Sequence, residues 1–257
     1  MRFPFVVEPA TFVERPNRFV IHARLHAEGQ IVRAHCPNPG RMGELMVPGA
    51  TVYLSRATDP ARRTPFTLRF VIHPQAGTLI SLDTQLPNAL FAEGLAQGAF
   101  PPFWGHRSAR REVSVPSPHG QANEAQTPTG KKQSVRSRVD FLLEDAQGRP
   151  CWVEVKSVSL VEDGLALFPD APTVRGRRHL LELIELVEGG DRAAVMFIVQ
   201  RPDAQVVMPH RQTDPAFADA LAQARSAGVE IYAHTCAVDL DEVRLERAIP
   251  AVDGAEG

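Results

Sequence analysis

Two short apolar segments, SRVDFLLE and CWVEVKSV, flank the turn sequence DAQGRP and constrain the fold more than any other part of the chain. Both have the length and the β-branched content of buried strands. The turn is too short for a crossover helix, so the segments are predicted to pair as an antiparallel hairpin. Asp140, Glu154 and Lys156 lie inside these apolar strands. Because burying an unpaired charge is costly, we expect the three side chains to contact each other or a ligand.

The spacing of the three charges suits a metal site. Side chains two residues apart on a strand share a face, so Glu154 and Lys156 point the same way, together with Trp152. Asp140 lies on the neighbouring strand, about 5 Å away. Two such carboxylates can share a divalent ion, and a nearby lysine can orient water or neutralise charge on a phosphate. Oxygen ligands without a thiolate favour Mg²⁺ or Mn²⁺. The alternative is an ordinary cross-strand salt-bridge cluster.

The first 80 residues have the pattern of a small antiparallel barrel. Short alternating segments are separated by turn sequences rich in Gly, Pro and Asn. In the first segment, Phe19, Ile21, Ala23 and Leu25 are predicted to share one face. The segments are RFVIHARLH, QIVRAHC, ATVYLSRA and FTLRFVIH. We predict a barrel domain at residues 1–82.

The remainder of the chain alternates between helical and strand patterns. A helix opened by Pro87 and Asn88 and closed by Gly98 precedes a strand at RREVSV and the hairpin. A helix after DAPTVRGRR, the apolar strand AAVMFIV, a helix at DPAFADALAQARSAG and the strand VEIYAH follow. This order predicts a mixed α/β domain at residues 83–248 and a tail at 249–257. Residues 116–135 lack periodicity and are predicted to form a flexible surface loop.

Cysteine usage favours a reducing cytosol. The three cysteines, Cys36, Cys151 and Cys236, are far apart and have no CxxC spacing, which argues against a disulfide framework and a thiolate zinc site. The start MRFPFVVEPA lacks the pattern of a signal peptide, and AAVMFIV is too short to cross a bilayer. We therefore expect a cytoplasmic protein, in which Cys36 is a buried structural residue.

The charge of the chain is unevenly distributed. The net charge is only -2, but residues 1–70 carry ten arginines and five acidic residues, and residues 201–257 carry five arginines and ten acidic residues. A basic surface is what a polyanion would need. The alternative is a solvated, arginine-rich surface with no partner.

Basic residues flank the acidic triplet on both sides. One group precedes and enters the hairpin, and the other lies at the predicted start of the next helix, where backbone N–H groups also favour a phosphate. Cations beside carboxylates suit a site that holds a polyanion over a metal, although they could also form a solvated rim. The predicted DNA contacts in these groups are Arg110, Arg111, Arg138, Arg175, Arg177 and Arg178. His179 is predicted to be a helix-surface or capping residue, and Phe168 and Trp152 to be packing residues.

The order of elements resembles the core of the PD-(D/E)xK nuclease superfamily, an α-β-β-β-α-β unit with Asp on one strand and ExK on the next. The resemblance implies that Asp140 and Glu154 are metal ligands and that Asp140, Glu154 and Lys156 are catalytic. It also implies a further metal ligand, Glu93, on the helix before the sheet. Gln200, at the end of a later strand, is expected to line the same cleft.

A closer resemblance, to the sugar fermentation stimulation protein family, covers nearly the whole chain. It is carried by AHCPNPGRM, LSRATDPARRTPFTL, LPNALFAEGL, SRVDFLLE, FIVQR and the run VEVKSVSLVEDGLALFPDAPTVRGRRHLLELIEL. It implies an OB-like barrel joined to a nuclease-like domain, and DNA binding to which Arg41 contributes. The family usually has CPNTGSM where this chain has Pro39 and Arg41, and its loop corresponding to 116–135 is usually shorter.

The function expected from these patterns is DNA binding, largely independent of base sequence, with Mg²⁺- or Mn²⁺-dependent phosphodiester hydrolysis. One alternative, implied by the resemblance to this family through its name and its association with sugar metabolism, is a non-catalytic DNA-binding regulator of sugar (maltose) metabolism genes. Another is a module in which the fold is only a scaffold. The intact acidic triplet favours the enzyme, because a protein that only binds phosphates has no need for carboxylates facing them. The chain has no helix-turn-helix signature, which disfavours sequence-specific regulation.

Overall fold

The computed structural model describes residues 1–59, 61–115 and 137–253, together with the backbone of two short paired strands. These two strands are β8 (Glu124–Ala125) and β9 (Gln133–Ser134). The rest of the predicted loop at 116–135 lies outside the described residues.

The N-terminal strands form a closed barrel. A six-stranded sheet has the order β3-β2-β1-β4-β5-β6, and a parallel pairing of β3 with β5 closes five of its strands. The strands are β1 (Val7–Asn17), β2 (Val20–Leu25), β3 (Ile31–His35), β4 (Thr51–Arg56), β5 (Phe66–Ile72) and β6 (Leu79–Ser81). The predicted alternation is confirmed for Ile21, Ala23 and Leu25, which are buried, but Phe19 precedes the strand and is 57% exposed.

The second half of the chain is built on a mixed six-stranded sheet. Its order is β17-β16-β14-β11-β10-β7, parallel from β11 through β14 to β16 and antiparallel elsewhere. The sheet strands are β7 (His106–Ser114), β10 (Arg138–Asp145), β11 (Pro150–Val158), β14 (Arg192–Val199), β16 (Glu230–Val238) and β17 (Val243–Ile249). A small separate sheet contains β12 (Val161–Glu162), β13 (Leu165–Phe168) and β15 (Val206–Pro209).

Helices cover both faces of this sheet. The helices are α1 (Leu86–Gln97), α2 (Val174–Glu188) and α3 (Pro215–Ala227), and a 3₁₀ turn follows α1 at Pro101–Phe103. Apolar side chains of α1 pack with one set of sheet residues, and those of α2 and α3 pack with the other. Gly98 ends α1 in the left-handed conformation, as the sequence predicts. No helix within the described ranges is both long and apolar enough to cross a membrane.

The barrel is held against the sheet domain by hydrogen bonds near the end of β11. Ser81 N–H donates to the backbone oxygen of Gln200, and Thr84 Oγ1 donates to the backbone oxygen of Pro37. Gly40 lies so close to Asp170 that an added Cβ would be 1.8 Å from a carboxylate oxygen. The barrel loop 38–41 is therefore fixed beside the strand that carries Lys156.

Candidate functional site

The β10–β11 hairpin opens where the charged residues lie. Its paired residues run from Phe141–Glu144 on one strand to Pro150–Val153 on the other. Beyond them, the N–H of Val155 donates to Asp140 Oδ2 at 2.8 Å. Asn88 of α1 donates to the other oxygen, Oδ1, also at 2.8 Å. Asp140 is therefore fixed by a helix and by a strand whose regular pairing ends at this point.

Glu154 has one oxygen engaged and one oxygen free. Lys156 Nζ donates to Oε1 at 2.6 Å, and His179 Nδ1 forms a short hydrogen bond with the same atom. Oε2 is buried and has no hydrogen-bond partner among the residues that the structure describes. The prediction that Glu154 and Lys156 share one face is confirmed. The contact between His179 and Glu154 was not predicted.

His179 belongs to the site, although its sequence context predicts a helix-surface or capping residue. That prediction is wrong, because the side chain is 2% exposed and faces Glu154. Arg175 Nε donates to its Nε2 at 3.4 Å, so Nε2 is the acceptor and Nδ1 is the nitrogen that donates to Glu154. The two residues are one turn apart on α2 and connect the exposed helix start with the buried carboxylate.

The two carboxyl groups differ in electrostatic environment. Burial raises the pKa of Asp140, and the negative charge of Glu154 acts in the same direction, against the hydrogen bonds from Val155 and Asn88. Burial would also raise the pKa of Glu154, but the Lys156 ammonium and the bond from His179 outweigh it, and the pKa is lowered. Asp140 is thus the carboxylate whose charge is poorly compensated, and a cation beside it would be favourable.

The donor set fits a hard divalent cation. Asp140 and the free Oε2 of Glu154 offer carboxylate oxygens, which Mg²⁺ and Mn²⁺ prefer. Within the described part of the chain, no group of three His, Cys, Asp or Glu residues is arranged to hold a metal. A site with two protein carboxylates is compatible with Mg²⁺, which usually keeps several waters and binds one or two carboxylates plus a phosphate.

The structure does not bring Glu93 to this site. It follows Asn88 by five residues on α1, a rotation of about 140° around the helix. Its carboxylate pairs with the Met1 amino group at 3.3 Å and accepts from Gln97 at 3.2 Å. The α1 residue that contacts Asp140 is Asn88, and the implied role of Glu93 as a metal ligand is not supported by this geometry.

Gln200 is buried at the junction between the two domains. Its Nε2 donates to Ser157 Oγ at 2.8 Å and to the backbone oxygen of Asp83 at 3.0 Å. It therefore ties the end of β11 to the segment that leaves the barrel. Its Oε1 is buried, and no residue in the described ranges forms a hydrogen bond with it.

The predicted arginines are spread over three places. Arg175, Arg177 and Arg178 are exposed in the first turn of α2, next to the Glu154 side of the site. Arg138 is exposed on β10, two residues before Asp140. Arg110, Arg111 and Arg41 complete the set.

These last three arginines have other contacts or lie on the barrel. Arg110 pairs with Glu144 at 3.1 Å, and Arg111 lies 5.5 Å from the centre of the Phe141 ring. Arg41 is exposed in the barrel loop. Of the predicted arginines, Arg175 is linked to Glu154 through His179, and Arg138 lies on the same strand as Asp140.

The barrel loop is organised by Arg15, which the sequence analysis did not single out. Its guanidinium donates to four backbone oxygens at 2.7–2.9 Å. The acceptors are the carbonyl groups of Arg18, Asn38, Gly40 and Arg41. Cys36 is fully buried beside this loop, and burial raises the pKa of its thiol. These features agree with the predicted structural role of Cys36.

A separate cleft, of about 380 Å³, lies at the other end of β11 and includes the exposed Trp104. Its arginines are engaged with acidic residues: Arg149 with Asp145 at 2.7 Å and Arg192 with Glu230 at 2.9 Å. Both arginines there are therefore already paired with carboxylates, as Arg178 of α2 is with Glu182 at 3.6 Å.

Comparison with known proteins identifies the family. A family model described as SfsA N-terminal OB domain matches residues 13–82, and one described as Sugar fermentation stimulation protein RE domain matches residues 85–242. The chain belongs to the sugar fermentation stimulation protein family. The resemblance inferred from the sequence motifs is therefore confirmed.

Relatives in this family are similar along most of their length. The sugar fermentation stimulation protein homolog of Moorella thermoacetica is 47% identical over 237 residues, which is 92% of each chain. The homolog of Geobacter metallireducens is 40% identical over 98% of this chain and 100% of its own. A solved structure of Pyrococcus furiosus SfsA in complex with Ca²⁺ matches with a TM-score of 0.80 and 31% identity, covering 98% of this chain and 99% of that one. The predicted fold class, a mixed α/β chain with an OB-like barrel followed by a sheet domain, is confirmed.

Proposed function

We propose that this member of the sugar fermentation stimulation protein family binds DNA and hydrolyses its phosphodiester bonds with Mg²⁺ or Mn²⁺. The observation that carries the proposal is the unequal hydrogen bonding of the two carboxylate oxygens of Glu154. One of its oxygens is held by Lys156 and His179, while the other is buried and free, beside the poorly compensated Asp140. A divalent ion would satisfy this buried oxygen, whereas salt bridges confined to the first oxygen leave it uncompensated.

Each residue has a separate task in this mechanism. Asp140 and Glu154 would hold the divalent ion, which when bound would polarise the phosphate and make water a better nucleophile. Lys156, fixed by Glu154 at the edge of a cleft, orients the attacking water and stabilises negative charge on the phosphate. Asn88 and the N–H of Val155 fix the orientation of Asp140.

The DNA strand is held by phosphate contacts. Arg175, Arg177 and Arg178 lie in the first turn of α2, where the N-terminal end of the helix also favours anions. Arg138 on β10 and Arg41 in the barrel loop, both exposed, are proposed to make further phosphate contacts. Because these contacts are to phosphates, binding is proposed to be largely independent of base sequence.

A related structure and the cysteines give further support. The Pyrococcus furiosus relative is described as a complex with Ca²⁺, a cation that takes oxygen ligands, and this favours a divalent ion in the present chain. The three cysteines are buried and free, which supports a cytoplasmic location.

The test combines cleavage with binding. Labelled single- and double-stranded DNA is incubated with the purified protein in Mn²⁺, Mg²⁺ or EDTA, using wild type, Asp140→Asn and the control Asp219→Asn, which alters an exposed residue of α3. We expect cleavage by wild type and Asp219→Asn only with metal, and none by Asp140→Asn.

Binding is measured separately by a mobility-shift titration. Affinity should fall steeply between about 50 and 200 mM salt, and Arg177→Ala should weaken binding to unrelated sequences equally. Normal binding without cleavage in any metal would leave the non-catalytic regulator as the function. No retardation at low salt would contradict both alternatives.

A further inference from the structure

A small cleft lies beside Lys156, between the barrel and the sheet domain. Its volume is about 220 Å³. One wall is the barrel loop 38–40, and the others are the last residues of β11 and the strand β13. Since Lys156 belongs to both the acidic site and this cleft, a group bound here would lie next to a phosphate held at the acidic site.

The walls of the cleft combine one aromatic ring with polar groups. Phe168 is half-buried, and its ring packs on Phe197 and Phe217 with centroids 5.6 and 5.1 Å apart. Leu167 adds a half-buried apolar side chain. The polar lining residues include Asn38, Ser157 and Asp170. A ring held in place by two others offers a stacking surface that costs little ordering entropy on binding.

The barrel wall of the cleft is preformed. Arg15 fixes the loop through its backbone oxygens, and Asn38 Oδ1 accepts the N–H of Gly40 at 2.9 Å. The contact between Gly40 and Asp170 then holds this loop against the sheet domain. The cleft therefore has a defined width, which is set by the docking of the two domains.

We propose that this cleft binds one unpaired nucleobase, next to the phosphate held by Asp140 and Glu154. The inference rests on the proposed function and narrows its substrate to single-stranded DNA or unpaired segments of a duplex. The volume is below the roughly 300 Å³ of pockets that take drug-sized ligands, so it suits a single base. A base in a duplex cannot enter, because its polar edge is paired and its faces are stacked on its neighbours.

The first experiment removes one base from a single-stranded oligonucleotide. An end-labelled strand with a single abasic nucleotide is cut with Mn²⁺, and every product is quantified. Stacking of a base on an aromatic side chain is worth roughly 1–3 kcal/mol. We expect cleavage next to the abasic position to fall about tenfold, while cuts elsewhere on the same strand are unchanged and serve as the internal control.

The second experiment fills the cleft. Leu167→Trp places a larger side chain in it, and the matched control Leu165→Trp alters the same strand two residues earlier, at a 39% exposed position outside the cleft. Fluorescence anisotropy with Ca²⁺ as the probe metal gives affinities for a single strand and for a blunt duplex. We expect wild type and Leu165→Trp to prefer the single strand about tenfold, and Leu167→Trp to lose this preference while its melting temperature and its weak duplex binding are retained.

The outcomes separate this inference from the proposed function. Equal binding of duplex and single strand, together with an abasic position that has no effect on the cut beside it, would overturn the base-binding cleft alone. If the protein binds no DNA, both proposals fail. If it binds but never cuts, the single-strand preference and its loss in Leu167→Trp still decide the question.

Discussion

Replacing Asp140 with asparagine removes a buried charge while keeping the shape of the side chain. The carboxylate accepts the N–H of Val155 and the amide of Asn88. In Asp140→Asn, the remaining oxygen can still accept from Val155, and the Asn88 amide can rotate to present its own oxygen to the new amide group. The variant therefore tests the charge of residue 140 with little change in packing.

The expected effect in EDTA is an increase in stability. Two charges about 5 Å apart repel by about 3 kcal/mol at an effective dielectric constant of about 20. Lys156 offsets part of the repulsion between Asp140 and Glu154. We therefore expect Asp140→Asn to raise the free energy of unfolding by about 1–2 kcal/mol, or roughly 2–8 °C in Tm for a chain of this size.

The difference in stability between Asp140→Asn and wild type should depend on pH in a defined direction. Because the pKa of Asp140 is higher in the folded protein than its ordinary value, the folded state binds the proton more tightly. The ionisation of Asp140 therefore lowers the free energy of unfolding of the wild type as the pH rises from the ordinary pKa through the raised pKa. Asp140→Asn lacks this contribution, so its advantage over wild type should be larger at pH 8 than at pH 4.

The metal response completes the test. A ligand that binds only the folded state at a hundred times its Kd stabilises by about 2.7 kcal/mol. Mn²⁺ should raise the Tm of wild type and of the control Asp219→Asn, and leave Asp140→Asn unchanged. The Tm of each of the three proteins is measured from thermal melting curves that are monitored by circular dichroism in EDTA or in Mn²⁺. A wild type that ignores Mn²⁺, with Asp140→Asn simply less stable, would refute the metal site and indicate a salt-bridge cluster.

Three further predictions concern the surroundings of the site. His179→Ala should weaken Mn²⁺ binding about 10- to 100-fold by isothermal titration calorimetry, because Glu154 loses a hydrogen bond that orients it, and His179→Gln, whose amide can donate, should recover part of the affinity. Unchanged affinity in His179→Ala would exclude this orienting role. Gly40→Ala should lower the free energy of unfolding by about 1–3 kcal/mol in a urea titration, because the added Cβ would collide with Asp170. The control Gly43→Ala, at a position with open space around it, should change this free energy by less than about 0.5 kcal/mol. Equal effects of the two substitutions would contradict the tight contact. The cysteines Cys36, Cys151 and Cys236 should not react in a thiol titration at pH 8 until denaturant is added. Burial raises the pKa of all three thiols, to about 12 for Cys151 and Cys236. Rapid labelling of the native protein would disprove their burial.

The sequence was most informative where local periodicity sets the structure. The period-two pattern placed Glu154 and Lys156 on one face, and the short turn placed Asp140 on the paired strand. The order of the main helices and strands from residue 88 also followed from apolar spacing and from turn residues such as Gly98. These features depend on residues that are close together in the chain.

Elements that depend on distant contacts were missed. The strand β1 contains Pro9 and Pro16, which interrupt the strand pattern, yet it pairs with both β2 and β4. The strands of the small sheet have only two to four residues, too few to show a period. The final strand β17 was assigned to no element, because four of its seven residues are charged or exposed and its pattern is weak.

The missed site residues fall into two groups. His179 could have been found, because it lies within the apolar stripe of α2 with Leu180 and Leu183, where a polar side chain needs a buried partner. Asn88 and Arg15 gave no such signal. The partner of Asn88 is 52 residues away, and three of the four acceptors of Arg15 are 23–26 residues away, so only the tertiary fold brings these groups together.

The position of β7 gives its arginines a second role, in solubility. Within the described residues, β7 is the outermost strand of its sheet, and its N–H and C=O groups on that side are a template for pairing with another chain. Charged side chains such as Arg107, Arg110 and Arg111 discourage that pairing, because bringing two such strands together would place like charges side by side. Replacing them with apolar residues would therefore promote aggregation through this edge. A loss of DNA retardation in such variants is meaningful only if size-exclusion chromatography shows that they are still monodisperse.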